Sequence, residues 1–349
     1  MLIARENTMK RTFTVVAALL LSCSALFAAS SEPLQLLNRY EMPASVKGRF
    51  DHLGVDLKGN RLFAAAETAH SVLVFDLRSG AYLREIAGIR IPHAIFVRED
   101  LNRIYITDGG EGAVKVYDGS TYELLKSIPL KVDADSIAFD PGTKYLYVVN
   151  GGGDAHESAS TYSVIDTTNG AKLADVKIDG DTLEASALDS SSPRIFINNP
   201  AKNEVEVFDR AKRAVEASWP IHLAKDNVAI AFDEASHRLF VACRSGKIVI
   251  VDSQSGKELQ TLDIARGVDD LIFDPSTRRI YASCGAGAGG TFVFEEQDPD
   301  HYTLLANVPT GTGGKNEVLV PQLGLYFVII PPQANAPGSI NAYKVSPSH

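Results

Sequence analysis

The sequence lacks the residues on which several classes of site depend. Its 349 residues include three cysteines and no Cys-x-x-Cys-His segment, so the chain attaches no c-type haem by itself. It has no Gly-x-Ser-x-Gly segment, which excludes the nucleophile elbow of the α/β-hydrolases. After residue 29 no apolar run approaches the roughly 20 residues that span a bilayer. We therefore expect neither a haem attachment site, nor a serine hydrolase of that fold, nor a transmembrane segment.

Positive charge is also scarce. The chain has 34 lysine and arginine residues against 43 aspartate and glutamate residues, for a formal net charge of −9 at pH 7. An acidic chain repels phosphate backbones unless its basic residues are gathered on one surface. No lysine- or arginine-rich cluster is evident, so we do not expect a nucleic-acid partner.

The first 29 residues have the features of a secretory signal. A basic start at Lys10 and Arg11 precedes a short apolar run, and the small residues Ala28 and Ala29 follow it. We predict a signal peptide over residues 1–29, cleavage near Ala29, and a periplasmic or secreted protein. Lipoprotein processing at Cys23 is the alternative.

The remaining chain contains one pattern that occurs seven times. Each copy consists of short runs of β-branched and aromatic residues that end at Asp, Asn, Gly or Pro, which is typical of strands joined by turns. A repeat of roughly 40–50 residues with four strands indicates a β-propeller. The residues that end the first strand of each copy are Asp56, Arg98, Asp140, Asp189, Asp233, Asp274 and Pro321.

We predict an all-β fold, a seven-bladed β-propeller with four antiparallel strands per blade, as a single domain over residues 34–345. The last copy has only three strands, and the orphan segment at residues 34–43 resembles a fourth strand. The N-terminal strand is therefore expected to complete the last blade, which removes open sheet edges. We expect a monomer. The aspartates that recur at turn positions are expected to cap backbone N–H groups.

Two cysteines lie within the repeats, Cys243 and Cys284, at the same position of adjacent copies. Neighbouring blades are expected to diverge there beyond the roughly 7 Å between Cα atoms that a disulfide permits. We predict two buried thiols, with a disulfide or a shared metal as the alternative.

Polar residues recur where each innermost strand begins. These strands line the channel of a propeller, and their starts face the same end as the loops between second and third strands, where binding residues are usually found. We predict a ligand or partner site there. Its predicted members are Asp51, His52, His93, Asp135, Glu184, Asp269, Asp270 and Glu317. The loops on the same face are expected to contribute Glu67, His70, Asp108, Glu111, Asn150, Asp154, His156, Glu157, Asn198, Asn199 and Arg244.

Two kinds of chemistry remain open for this ring. Imidazole and carboxylate groups ligate divalent cations, and His52, His93, Asp51 and Asp135 are the candidate ligands. Alternatively, a histidine and a carboxylate act as general base and acid on a bound substrate. Apart from the adjacent pairs Asp51–His52 and Asp269–Asp270, these residues come from different blades, so no local spacing distinguishes these chemistries from a solvated, purely structural ring. No cofactor other than a divalent metal is suggested.

The segment Tyr147–Asn150 reads Tyr-Val-Val-Asn and resembles the Tyr-Val-Thr-Asn repeat of the YVTN, or YncE-like, seven-bladed propellers, with Val149 in place of threonine. Residues 49–56 are similar to the opening of secreted members. The resemblance implies a periplasmic or secreted binding or scaffold protein with a small-molecule or protein partner. Similar repeats occur in lyase-like and lactonase-like propellers, so the alternative is a lyase or lactone-hydrolase type of enzyme that uses the same ring, with or without a metal.

Overall fold

The computed structural model describes residues 32–347. The predicted signal peptide and Cys23 lie outside the described residues. The described part is built almost entirely of β-strands, with two short 3₁₀ turns at Gly152–Ala155 and Pro321–Leu323. No helix within it is long and apolar enough to cross a membrane.

Seven four-stranded antiparallel sheets form the blades of a ring, as the repeat predicts. The first strand, β1 (Leu34–Glu41), belongs to the last blade. Blade one holds β2 (Leu53–Asp56), β3 (Arg61–Ala66), β4 (Ser71–Asp76) and β5 (Tyr82–Ala87). Blade two holds β6 (Pro92–Arg98), β7 (Arg103–Asp108), β8 (Ala113–Asp118) and β9 (Leu124–Pro129). Blade three holds β10 (Ile137–Asp140), β11 (Tyr145–Gly151), β12 (Ala159–Asp166) and β13 (Ala171–Asp179).

The remaining blades follow the same order from the channel outward. Blade four holds β14 (Ser186–Leu188), β15 (Arg194–Asn199), β16 (Glu204–Asp209) and β17 (Ala214–Pro220). Blade five holds β18 (Asn227–Asp233), β19 (Arg238–Cys243), β20 (Lys247–Asp252) and β21 (Glu258–Asp263). Blade six holds β22 (Val268–Asp274), β23 (Arg279–Cys284), β24 (Gly290–Asp298) and β25 (His301–Pro309). Blade seven holds β26 (Glu317–Val320), β27 (Leu325–Ile330) and β28 (Ser339–Val345).

The N-terminal strand completes blade seven, as predicted. Strand β1 pairs antiparallel with β28, with Leu34 opposite Val345 and Tyr40 opposite Ile340. The order across this sheet is β1-β28-β27-β26, so the two ends of the described chain meet in one blade. Because β1 covers the free edge of β28, no three-stranded blade is left incomplete within the ring.

The recurrent aspartates cap turns, as predicted. Asp56 Oδ1 accepts a hydrogen bond from the Gly59 backbone N–H at 2.8 Å, and Asp140 does the same for Gly142. The aspartates that end the third strands behave alike: Asp118 accepts from the Ser120 N–H at 2.8 Å. Each carboxylate satisfies a turn donor that would otherwise need water, so these residues belong to the frame rather than to a site.

The apolar core is divided among the interfaces between neighbouring blades and does not form a single central cluster. Seven clusters of buried side chains each join two neighbouring blades, and the one between blades one and two includes Phe63, Val74, Ile104 and Ile106. Full burial of such a side chain stabilises the fold by about 1.5–3 kcal/mol. The packed blades therefore hold the starts of the inner strands in fixed positions around the channel.

The two cysteines within the ring are free and buried, as predicted. Burial raises the pKa of both thiols to about 12, so neither forms thiolate at neutral pH.

We expect neither Cys243 nor Cys284 to react with an aromatic disulfide reagent in the folded protein, because the reactive thiolate is absent and both side chains are covered. Both should react once the protein is unfolded in denaturant. Mass spectrometry of labelled peptides would distinguish the two sites. Rapid labelling of either thiol in native buffer would contradict the prediction.

Candidate functional site

The inner strands begin around a charged cavity at one end of the channel. This cavity has a volume of about 250 Å³ and is lined by Asp51, His52, His93, Asp135, Glu184 and Asp269, together with loop residues. We call it the channel mouth. A second cavity of about 290 Å³ lies on the inner strands beyond it, shares His52, Ser136 and Ala185 with the mouth, and is lined by Asp270 and Glu317.

Asp51 lies at the centre of a chain of polar contacts. Its Oδ2 atom is 2.6 Å from His93 Nδ1, and its Oδ1 atom is 3.5 Å from His52 Nε2. His52 Nδ1 lies 2.9 Å from Asp270 Oδ1. Asn316 Nδ2 donates to Asp51 Oδ1 at 3.2 Å. One buried carboxylate thus fixes two imidazoles that come from blades one and two.

Asp269 organises the other side of the mouth. Its Oδ1 atom accepts a hydrogen bond from Arg244 Nη2 at 2.6 Å, and Lys315 Nζ donates to its Oδ2 atom. Asn316 Nδ2 also reaches Asp269 Oδ2 at 3.0 Å, so this amide bridges Asp51 and Asp269. Both carboxylates are buried, and these charge-assisted hydrogen bonds stabilise their ionised forms against the cost of desolvation.

The surrounding carboxylates favour the charged form of both histidines. Burial lowers the pKa of His93, but Asp135 and Asp51 outweigh it and raise the pKa to about 9. Burial also opposes the charged form of His52, and Asp270 and Asp51 nevertheless raise its pKa well above the usual value. The pKa of Asp51 is lowered despite its burial, because His52 and His93 lie beside it. The three residues therefore form a buried, mutually charged triplet.

The pKa values of two other carboxyl groups, those of Glu184 and Asp135, are raised rather than lowered. Burial, followed by the field of Asp135, raises the pKa of Glu184 to about 8. Burial raises the pKa of Asp135 to about 6, and Asp51 adds to this while His93 opposes it. Such shifts are concentrated at functional sites, where like charges are held together.

The mouth also contains an unpaired acceptor. Asp135 Oδ1 is buried and accepts no hydrogen bond from any residue between 32 and 347, with His93 Nδ1 at 4.0 Å. Three sets of side chains have ligating atoms within 4.8 Å of one another: Asp51, His52 and Asp135; Asp51, Glu67 and His93; and His93, Asp133 and Asp135. Asp51, His93 and Asp135 each belong to two of these sets.

The structure brings together every residue that the repeat placed at the inner-strand starts, although their role in ligand binding remains a prediction. Six line the mouth, and Asp270 and Glu317 line the cavity beyond it. Of the eleven loop residues expected on this face, Glu67, Asp154 and Arg244 line the mouth, and the other eight do not.

Three charged lining residues were not predicted: Arg49, Asp133 and Lys315. Each precedes an inner-strand residue of the ring by one or two positions in the sequence. Including the two positions before each ring residue in the repeat would therefore have identified them.

The comparisons with known proteins concern family and fold. No family model matches the chain. The uncharacterized protein YncE of Salmonella typhi is 33% identical over 99 residues, which cover 28% of this chain and 28% of that protein. YncE of Salmonella typhimurium matches with the same identity and coverage. The aligned stretch thus spans well under half of either relative's length. Together with the seven-bladed ring, it supports the predicted YncE-like propeller family.

Among solved structures, one chain of the crystal structure of the mitotic checkpoint complex superposes with a TM-score of 0.73. The superposition covers 97% of this chain and 99% of that chain, at 15% sequence identity. At this identity the likeness concerns the fold alone.

Proposed function

We propose that this YncE-like propeller is a periplasmic or secreted binding protein, monomeric and without catalysis of its own, whose channel mouth holds a divalent cation through ligands drawn from Asp51, His52, His93 and Asp135. The observation that carries the proposal is the convergence of three potential ligand sets in one cavity, with Asp135 Oδ1 lacking any partner among the described residues. The cell-envelope location rests on the signal-like segment at residues 1–29.

The charge balance of the mouth supports a cation. Seven carboxyl groups line the cavity, of which Glu184 favours its protonated form because its pKa is raised to about 8, whereas the arginine and lysine residues number three. The histidines supply further positive charge only by holding protons, and a divalent ion would supply it directly. Mixed imidazole and carboxylate ligands suit Zn²⁺ better than Ca²⁺, because Ca²⁺ is bound by oxygen atoms.

The enzyme alternative finds less support in the same geometry. A general base must be unprotonated at the working pH, whereas the carboxylates beside His93 raise its pKa to about 9. His52 is likewise stabilised in its charged form by Asp270 and Asp51. Without a cation both imidazoles therefore act as hydrogen-bond donors, and a divalent ion that binds His93 has to displace the proton from its ring nitrogen.

We expect the EDTA-treated protein to bind one Zn²⁺ per chain in a calorimetric titration, with an affinity for Ca²⁺ at least about tenfold weaker. His93→Ala should weaken Zn²⁺ binding by at least about tenfold, because it removes the nitrogen shared by two of the ligand sets.

His301→Ala is the matched control. His301 Nδ1 also contacts a carboxylate, Asp298 at 2.9 Å, but this pair is exposed in the hairpin turn of blade six. The variant should bind Zn²⁺ as the wild type does. Absence of one-to-one binding, or an equal loss in both variants, would remove the basis of the proposal.

A further inference from the structure

A third cavity adjoins the channel mouth and is mainly apolar. It has a volume of about 420 Å³, and its walls include Phe50, Ala286, Ile329 and Pro331. We call it the side pocket. It shares three lining residues with the channel mouth: Arg49, Glu67 and Lys315. Neither the charged ring nor the proposed cation accounts for an apolar cavity at this place.

One wall of the side pocket is made of glycine backbone from successive blades. The Gly285 N–H donates to Gly267 O at 3.0 Å, and the Gly313 N–H donates to Gly285 O at 3.1 Å. The Gly267 N–H in turn donates to Arg244 O at 3.2 Å. These N–H and C=O groups hydrogen-bond to one another between the loops, and glycine has no Cβ atom that would project into the pocket. The glycines therefore form a low wall, without protruding side chains, that is largely apolar.

Two cationic side chains with unused N–H donors lie at the boundary between the two cavities. Arg49 contacts Glu67 at 2.8 Å, but 82% of its side chain is exposed, which leaves most of its five N–H donors free. Lys315 donates to Asp269 and is 38% exposed.

We propose that the side pocket binds the apolar body of a small planar carboxylate, whose carboxylate group contacts Arg49 and Lys315 at the edge of the channel mouth. A planar body suits the low glycine wall, and Phe50, Ile329 and Pro331 supply apolar contact. Arginine and lysine are the usual partners of a ligand carboxylate. The inference goes beyond the proposed cation site and does not depend on it.

The size of the cavity fits a ligand of this class. Small-molecule pockets usually measure roughly 300–1,000 Å³, so the side pocket lies at the lower end of that range. A bicyclic aromatic acid is a suitable probe. At ordinary ligand efficiencies, such a molecule is expected to bind with a Kd of roughly 0.1–1 mM.

The test is calorimetric titration with 2-naphthoate at pH 7 in EDTA, so that failure of the cation site does not affect the result. We expect one 2-naphthoate per chain. The neutral 2-naphthamide should bind at least about fivefold more weakly, because it cannot pair with Arg49 and Lys315. Ala286→Phe should reduce 2-naphthoate binding by at least about tenfold by filling the pocket.

Ala211→Phe is the matched control, since Ala211 is exposed in the turn between β16 and β17 and does not line the side pocket. It should bind 2-naphthoate like the wild type. Lys315→Met should weaken 2-naphthoate binding while leaving 2-naphthamide binding unchanged, a difference that general misfolding would not produce. Equal affinity for the two probes, no saturable binding, or unchanged binding in Ala286→Phe would each overturn the proposal.

Discussion

Replacing Asp51 with alanine is expected to lower the free energy of unfolding by about 3–5 kcal/mol and to abolish Zn²⁺ binding. The Asp51 carboxylate is buried and contacts His93, His52 and Asn316. Removing one partner of a buried ion pair leaves the other charge uncompensated, which typically costs about 3–5 kcal/mol. Urea-induced unfolding at pH 7 in EDTA would measure this loss without any contribution from bound metal.

The Asp135→Ala variant distinguishes an effect on the free energy of unfolding from an effect on Zn²⁺ binding. Asp135 also lines the channel mouth, but its Oδ1 atom accepts no hydrogen bond from any described residue. Its removal should change the free energy of unfolding by less than about 1 kcal/mol and still weaken Zn²⁺ binding by at least about tenfold. If both variants lost the same stability, Asp51 would not be the organising carboxylate of the mouth.

The second large effect concerns Glu317 and pH. Burial raises the pKa of Glu317 from 4.5 to about 8. Tyr326 OH donates to its Oε2 atom, Asp270 Oδ2 accepts a hydrogen bond from its backbone N–H, and its Oε1 atom has no partner among the described residues. The folded protein therefore favours the protonated carboxyl group.

The sign of the effect follows from proton binding. Between pH 4.5 and about 8 the folded state holds a proton on Glu317 that the unfolded state has released, so the free energy of unfolding falls as the pH rises through this window. Glu317→Gln keeps the shape and cannot ionise. It should remove this part of the pH dependence and make the protein more stable than the wild type above pH 8, by at most about 5 kcal/mol.

The measurement is urea unfolding of the wild type and Glu317→Gln at several pH values from 4.5 to 9. Glu85→Gln provides the control, because Glu85 is exposed on the outer strand of blade one and should leave the pH profile unchanged. Parallel profiles for the wild type and Glu317→Gln would show that the buried carboxyl is not the titrating group.

The fold could be predicted because each blade repeats its own local signals. The capping aspartates mark the end of the inner strand in five copies, and the second strands recur with almost the same length and one pattern, as in Arg61–Ala66 and Arg238–Cys243. Since a four-stranded unit of this length packs only against copies of itself, the number of copies gives the number of blades.

The candidate site was predictable only where it follows the repeat. Asp51, His93 and Asp135 occupy one register position, so the ring places them together without any knowledge of distances. The bridging role of Asn316 and the partner of Glu317, Tyr326, depend on side-chain directions inside blade seven. The side pocket could not be predicted, because it arises from the spacing of glycine loops on successive blades rather than from any one motif.

The pairing of β1 with β28 also sets the order in which the molecule can form. Ser346 Oγ donates to Glu32 O, 314 positions earlier in the chain, so blade seven unites segments from opposite ends of the polypeptide. Contacts of such long range are made late and slowly, because the loop entropy is lost before the contact is gained. A chain synthesised from its N-terminus must keep β1 unpaired until β28 has been made. During that interval β1 is exposed to proteases and to mispairing with other chains.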